Sequence, residues 1–143
     1  MKSLLFIVLL FSAFSAYSQD NAEWKIIINK KTIFSAKQED EQKNIDTISL
    51  SDVKPNKNFI ISYFETIDNA KKSWKRIIGI YNESDKELIR KDAVALKLNT
   101  TQVRKWLFDN KKIKIYSWSL PKDPKEAARV RVRRVHLCTI VLK

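Results

Sequence analysis

Apolar residues in this chain come in short runs with a period of two, and polar punctuation breaks them before any run reaches helical length. "EWKIIIN" and "TIFSA" are separated by Lys30 and Lys31 after Asn29 and read as a hairpin. "IDTISL" alternates, with Ile45, Thr47 and Ser49 against Asp46, Ile48 and Leu50. "FIISYFE" follows the turn-forming "SDVKPNKN". "WKRIIGIY" and "KELIRKDAVALKL" flank "NESD" as a second hairpin, and "KKIKIYSWSL" is a long strand ended by the prolines of "PKDPKE". One segment breaks the pattern. In "NTTQVRKWLFDN", Val103, Trp106 and Leu107 share a face at helical spacing, and Thr100 or Thr101 is placed to cap it. The expectation is an all-β fold: an immunoglobulin-like β-sandwich of about eight strands with one short connecting helix of about two turns.

Such a fold normally draws on glycine for its turns, yet Gly79 is the sole glycine of 143 residues. Backbone with positive φ must then fall to other residues, and Asn29, Asn56, Asn82, Asp85, Asp109 and Asn110 are placed for it. Dinucleotide-binding fingerprints and phosphate-cradling loops need several glycines, so both classes are excluded.

Residues 1–19 have the layout of a secretory signal peptide. Lys2 is the positive start, Leu4 to Phe11 an unbroken apolar run, and small residues follow at Ser12, Ala13, Ser15, Ala16 and Ser18. The run is too short to span a bilayer. The implied mature chain, residues 20–143, is one sandwich domain, exported to the periplasm or beyond. Losing Lys2 and no acid lowers the net charge from +12 to +11. So basic a domain is drawn to polyanions, and for an exported protein anionic glycans rank above nucleic acid. The alternative is a basic surface that serves solubility alone.

The last fifteen residues, "RVRVRRVHLCTIVLK", hold four arginines together with the single histidine and the single cysteine of the chain. Val130 and Val132 point one way and Arg129, Arg131 and Arg133 the other. Paired with "KKIKIYSWSL", the consistent register sets Val132 opposite Ile115, Arg131 opposite Tyr116, Arg129 opposite Trp118 and Arg133 opposite Lys114. Tyr116, Trp118, Arg129, Arg131 and Arg133 then form a basic–aromatic face, the candidate binding face, able to stack on sugar rings while neutralising anions. The competing expectation is that the rings are covered and the arginines only protect an edge. A β-bulge at Arg133–Arg134 absorbs the phase change into "VHLCTIVLK", a core strand on which His136 and Cys138 share a face.

Neither residue points to chemistry. A closed metal site needs four ligands, and two are present, so no metal and no cofactor is expected. One cysteine forms no intrachain disulfide and reads as a small buried hydrophobe. No nucleophile elbow accompanies the histidine. The functional expectation is a non-enzymatic binding or assembly module for a protein or an anionic glycan. A small periplasmic enzyme or accessory subunit and a self-associating structural domain are the alternatives.

The ending "SAYSQ", the segments "IKIYSWSLPKDP" and "RVRRVHLC", and the body rich in lysine and isoleucine resemble small secreted proteins of Bacteroidota. The resemblance implies export from a Gram-negative cell and brings no activity with it. It also implies that "DTI" at Asp46 to Ile48, which is similar to an O-glycosylation acceptor of that phylum, offers Thr47 as a modification site.

Overall fold

The structure is a computed structural model that describes residues 21–66 and 72–143; the signal-peptide reading of residues 1–19 lies outside them. Its strands are β1 (Ala22–Ile28), β2 (Lys31–Ala36), β3 (Ile45–Ile48), β4 (Asn58–Glu65), β5 (Trp74–Asn82), β6 (Glu87–Asp92), β7 (Ala95–Asn99), β8 (Lys112–Pro121) and β9 (Val135–Leu142). The helices are α1 (Thr100–Asn110), between β7 and β8, and α2 (Pro124–Ala127), between β8 and β9. A four-stranded sheet, ordered β2–β1–β4–β7, packs on a five-stranded one, ordered β3–β9–β8–β5–β6. The β3–β9 pair is parallel, and every other pair is antiparallel.

Period-two patterning builds the core directly. Trp24, Ile26 and Ile28 of β1 and Phe59, Ile61 and Tyr63 of β4 point inward from one sheet. Ile78 and Ile80 of β5, Ile113 and Ile115 of β8, and Leu137 and Ile140 of β9 point inward from the other. Alternate side chains lie on opposite faces, so these residues meet between the sheets and their neighbours face solvent. The Trp24 indole crosses the gap and donates a buried hydrogen bond of 2.8 Å to the Leu137 carbonyl.

The β1–β2 hairpin is as expected. Asn29 and Lys30 both take positive φ (48° and 69°), the primed turn whose twist suits a two-residue connection. Asn56 and Asp85 also take positive φ, as does Lys111 at the end of α1. Asn82 does not. Its side chain instead accepts from the backbone N–H groups of Ser84 (3.0 Å) and Lys86 (2.9 Å), closing the β5–β6 turn from outside.

Three expectations are corrected. The run "KELIRKDAVALKL" is not one strand. It divides into β6 and β7, which belong to different sheets. Around the break the Ala93 N–H donates to the Arg76 carbonyl (3.0 Å) and the Val94 carbonyl accepts from the Tyr63 N–H (2.8 Å), so adjacent residues bind opposite sheets. Helix α1 has 11 residues rather than about two turns, and its cap is Asn99, which accepts from the Thr101 N–H at 2.8 Å. Thr100 is fully buried and is used differently. Its Oγ1 donates to the Lys54 carbonyl (2.6 Å) and accepts from the Lys57 N–H (2.9 Å), fastening the helix start to the loop before β4. Lastly, residues 129–134 form no strand: β9 begins at Val135. Val130 and Val132 are the only apolar residues among four arginines there, and a strand through them would bring guanidinium stems against the sheet for two valines of burial. Val132 is exposed.

Candidate functional site

The outer face of the five-stranded sheet carries two of the five candidate binding-face residues, Tyr116 and Trp118, together with His136. From β8 it presents Lys112, Lys114, Tyr116 and Trp118. Its cross-strand neighbours on β5 are Tyr81 opposite Lys114, Gly79 opposite Tyr116 and Ile77 opposite Trp118. On β9 they are Val141 opposite Lys112, Thr139 opposite Lys114 and His136 opposite Tyr116.

The expected register between Arg129–Arg133 and β8 is replaced. Ile115 faces Cys138, Tyr116 faces His136 and Ser117 faces Val135, with one extra residue, Leu137, between the pairs. The bulge therefore lies at Leu137, not at Arg133–Arg134. It turns both Leu137 and Cys138 into the core while His136 stays on the outer face, so His136 and Cys138 do not share a face. The bulge also leaves the Leu137 carbonyl off the ladder, and it is this carbonyl that the Trp24 indole satisfies. Cys138 is fully buried, and burial pushes its thiol up to about 12, so it packs as a hydrophobe. Among the described residues no group of three or more His, Cys, Asp or Glu side chains is placed to hold a metal ion.

Trp118 is nearly buried, and it packs with Ile77 and Tyr81 in a small cluster joined by Tyr116 and Leu120. A Cβ at residue 79 would lie 2.8 Å from Tyr81 Cε2 and 3.0 Å from Trp118 Cη2, so the rings fill the hollow that the glycine leaves. The rings are thus partly covered, as the competing expectation had it.

Arg129 and Arg131 lie exposed in the loop before β9, and neither is the guanidinium that covers the rings. Arg133 is exposed and pairs with Glu39 at 2.5 Å. The other Glu39 oxygen accepts from the His136 backbone N–H at 2.9 Å, so one carboxylate ties the arginine loop to the start of β9. The cation over the rings is Arg134. Its guanidinium carbon sits 4.8 Å from the Tyr81 ring centroid and 4.6 Å from that of Tyr116. One of its nitrogens donates to both Asp85 oxygens (3.0 and 3.1 Å). Arg134 is the last residue before β9, and its place over the rings is fixed by Asp85 rather than by strand phase.

Beside the ring cluster lies a cleft of about 240 Å³. Tyr116 lines it; burial, with Glu41 second, holds its phenol above the ordinary value, so it stays protonated and can donate. His136 is 2 % exposed, meets Tyr116 edge to face at 5.6 Å and shares a 2.8 Å hydrogen bond between Nε2 and Thr139 Oγ1. Nδ1 has no partner among the described residues. Burial lowers the His136 pKa and Lys114 adds to this, against the opposing pull of Glu41 and Glu39, so the ring is neutral at pH 7. Lys112 reaches Glu83 at 3.0 Å and by that bond holds the Glu83 carboxyl below its usual range. Lys114 has no acidic partner among the described residues. Ile45 and Val141 form the apolar wall, and Glu41 stands on the loop before β3.

No family model, no curated protein and no solved structure matches the chain. No helix among the described residues is long and apolar enough to cross a membrane.

Proposed function

We propose that this chain is an exported, non-enzymatic binding module that engages an anionic glycan through the outer face of its five-stranded sheet. The observation that carries the reading is the distribution of acids around that face. Glu39 is taken up by Arg133, Asp85 by Arg134 and Glu83 by Lys112, whereas Lys114, Arg129 and Arg131 have no acidic partner among the described residues. An unpaired Lys114 in a tyrosine-lined cleft, with two further unpaired cations on the loop before β9, suits a ligand that carries both anions and apolar ring faces, which favours a glycan over an acidic protein. Export rests on the layout of residues 1–19.

Strand connectivity supports an immunoglobulin-like reading of the architecture. Strands β5, β8 and β9 take the places of the C, F and G strands of such a sandwich, with β6 extending the C edge, while β1 and β4 pair in the opposite sheet.

Heparin-column retention tests the proposal. Replacing Arg129 and Arg131 with serine is expected to lower the eluting salt concentration by more than replacing Lys31 and Lys97, two exposed lysines of the other sheet. Equal shifts would mean that the column reads net charge alone, and the proposed face would fall.

A further inference from the structure

The cleft beside Tyr116 is built for something smaller than a stretch of polymer. At about 240 Å³ it lies below the range of roughly 300–1,000 Å³ that holds drug-sized ligands, so it has room for one ring and not for a row of them.

Its lining is sorted from one side to the other. The cations stand on β8, with Lys114 unpaired and Lys112 shared with Glu83. Thr139 and Val141 occupy β9, which runs beside β8. Ile45 stands on β3, beyond β9, and Glu41 on the loop leading into it. The backbones of β8 and β3 lie two strand spacings, about 10 Å, apart, and the lysines of the first and Glu41, before the second, line the same cleft. A pyranose with a carboxylate at one end matches this order of groups. Its anion meets an ammonium, its hydroxyls at the far end donate to a carboxylate and to a threonine, and its C–H surface lies on the apolar wall and the tyrosine.

The site is also held in advance. Arg134 lies over the Tyr116 ring and is itself fixed by Asp85, while His136 meets that ring edge to face and is anchored by Thr139. Rings fixed before the ligand arrives do not have to be ordered by it, which lowers the cost of binding a small molecule. A neutral His136 places no further charge in the cleft, whose cations are Lys114 and the Glu83-bound Lys112.

We infer that this cleft binds a single acidic sugar, a hexuronate or similar monocarboxylated pyranose, with its carboxylate on Lys114 and its hydroxyls on Glu41 and Thr139. The inference rests on the anionic-glycan reading above and assigns it the terminal sugar acid of a chain.

Calorimetric titration at low salt with sodium galacturonate, against galactose, tests it on the whole folded protein. Galacturonate is expected to bind at least tenfold more tightly than galactose. Lys114→Ala should lower its affinity about tenfold, Lys114→Arg should restore most of that, and Glu41→Gln should cost a few-fold. Lys97→Ala, on the far sheet, should change nothing. Retention on immobilised polygalacturonate separates the two claims. If the polymer is retained but free galacturonate does not bind, or Lys114→Ala binds as the parent does, the cleft assignment is wrong and the anionic-glycan reading stands. Equal binding of galactose would likewise overturn it. If galacturonate binds and the polymer is not retained, the cleft stands and the wider reading fails. If neither interacts, both fail.

Discussion

Two halves of one sheet face, sharing Tyr116, have opposite characters. Towards the Pro121 end of β8, Trp118 is nearly buried among Ile77 and Tyr81. Towards the Lys112 end, Lys112 and Lys114 border an open cleft. The strand is the same and the alternation unbroken, so the difference comes from the neighbours. Gly79 on β5 leaves a hollow that two rings close. On the other side the neighbours on β9, Thr139 and Val141, are short and no ring reaches across them. A small residue under large ones makes a packed patch, and small residues beside long flexible cations leave a cleft. The packed half should therefore answer to mutation in stability, and the open half in binding.

The strongest way to break that contrast is Trp118→Ala. Removal of a nearly buried indole should cost about 3 kcal/mol, the low end for tryptophan truncation because it leaves an outer-face cluster rather than the central core. Thermal unfolding should fall by on the order of 10 °C. A loss no larger than that of a surface substitution would show that the cluster is not packed in solution.

Gly79→Ala comes next. The added methyl would meet ring carbons of Tyr81 and Trp118 at 2.8 and 3.0 Å, and neither ring is a flexible chain end that yields freely. Overpacking of this kind costs about 1–3 kcal/mol. Chemical denaturation of the pair of variants would show whether the hollow and the ring that fills it are one unit: coupled effects are expected, since the residues touch.

A smaller change tests the boundary between the halves. Arg134→Lys keeps the charge but loses the planar group over Tyr81 and Tyr116 and the double contact with Asp85, and should cost about 1 kcal/mol. Because Arg134 also fixes Tyr116, galacturonate affinity should fall with it. Unchanged affinity would uncouple the cleft from the ring cluster.

How far the sequence foretold these features depends on the range of the interactions that decide them. The β1–β2 hairpin, α1 and the strands β4, β5 and β8 are set by local alternation, helical spacing and turn residues, and were legible. So was the burial of Cys138, whose flanks Leu137 and Ile140 are core residues. The split between β6 and β7 was not. Its alternation continues across the break, and the switch depends on backbone bonds to Arg76 and Tyr63, residues distant in sequence. The arginine face failed for a related reason. "RVRVRR" has strand period but too little apolar surface to hold a place in the sheet, and the phase that matters starts at Val135. Tyr116 and Trp118 were correctly placed on the face opposite Ile113 and Ile115. Arg134 was overlooked because the bulge was set three to four residues too early. The cleft itself needed three strands, β3, β8 and β9, to be brought side by side, one of them in parallel.

The finest test lies at His136, on the shared border. Burial depresses its pKa from an ordinary value near 6.5, and Glu41 and Glu39 offset part of the effect, so the influence on stability should be the smallest of those considered. A histidine with a depressed folded pKa binds fewer protons when folded than when unfolded. Stability therefore rises with pH through the region just below 6.5, and it falls as pH drops from there until the folded ring also protonates. At pH 7 and above the group contributes no pH dependence. His136→Gln removes the titration while keeping a group able to bond Thr139, so between pH 7 and pH 5 its melting temperature should fall less than that of the parent. Parallel curves would mean that the ring is not held neutral by burial. Galacturonate, if it occupies the cleft beside this ring, should add its own electrostatic pull on the proton, and a measured rise of the His136 pKa on binding would place the sugar's carboxylate on the open half of the face.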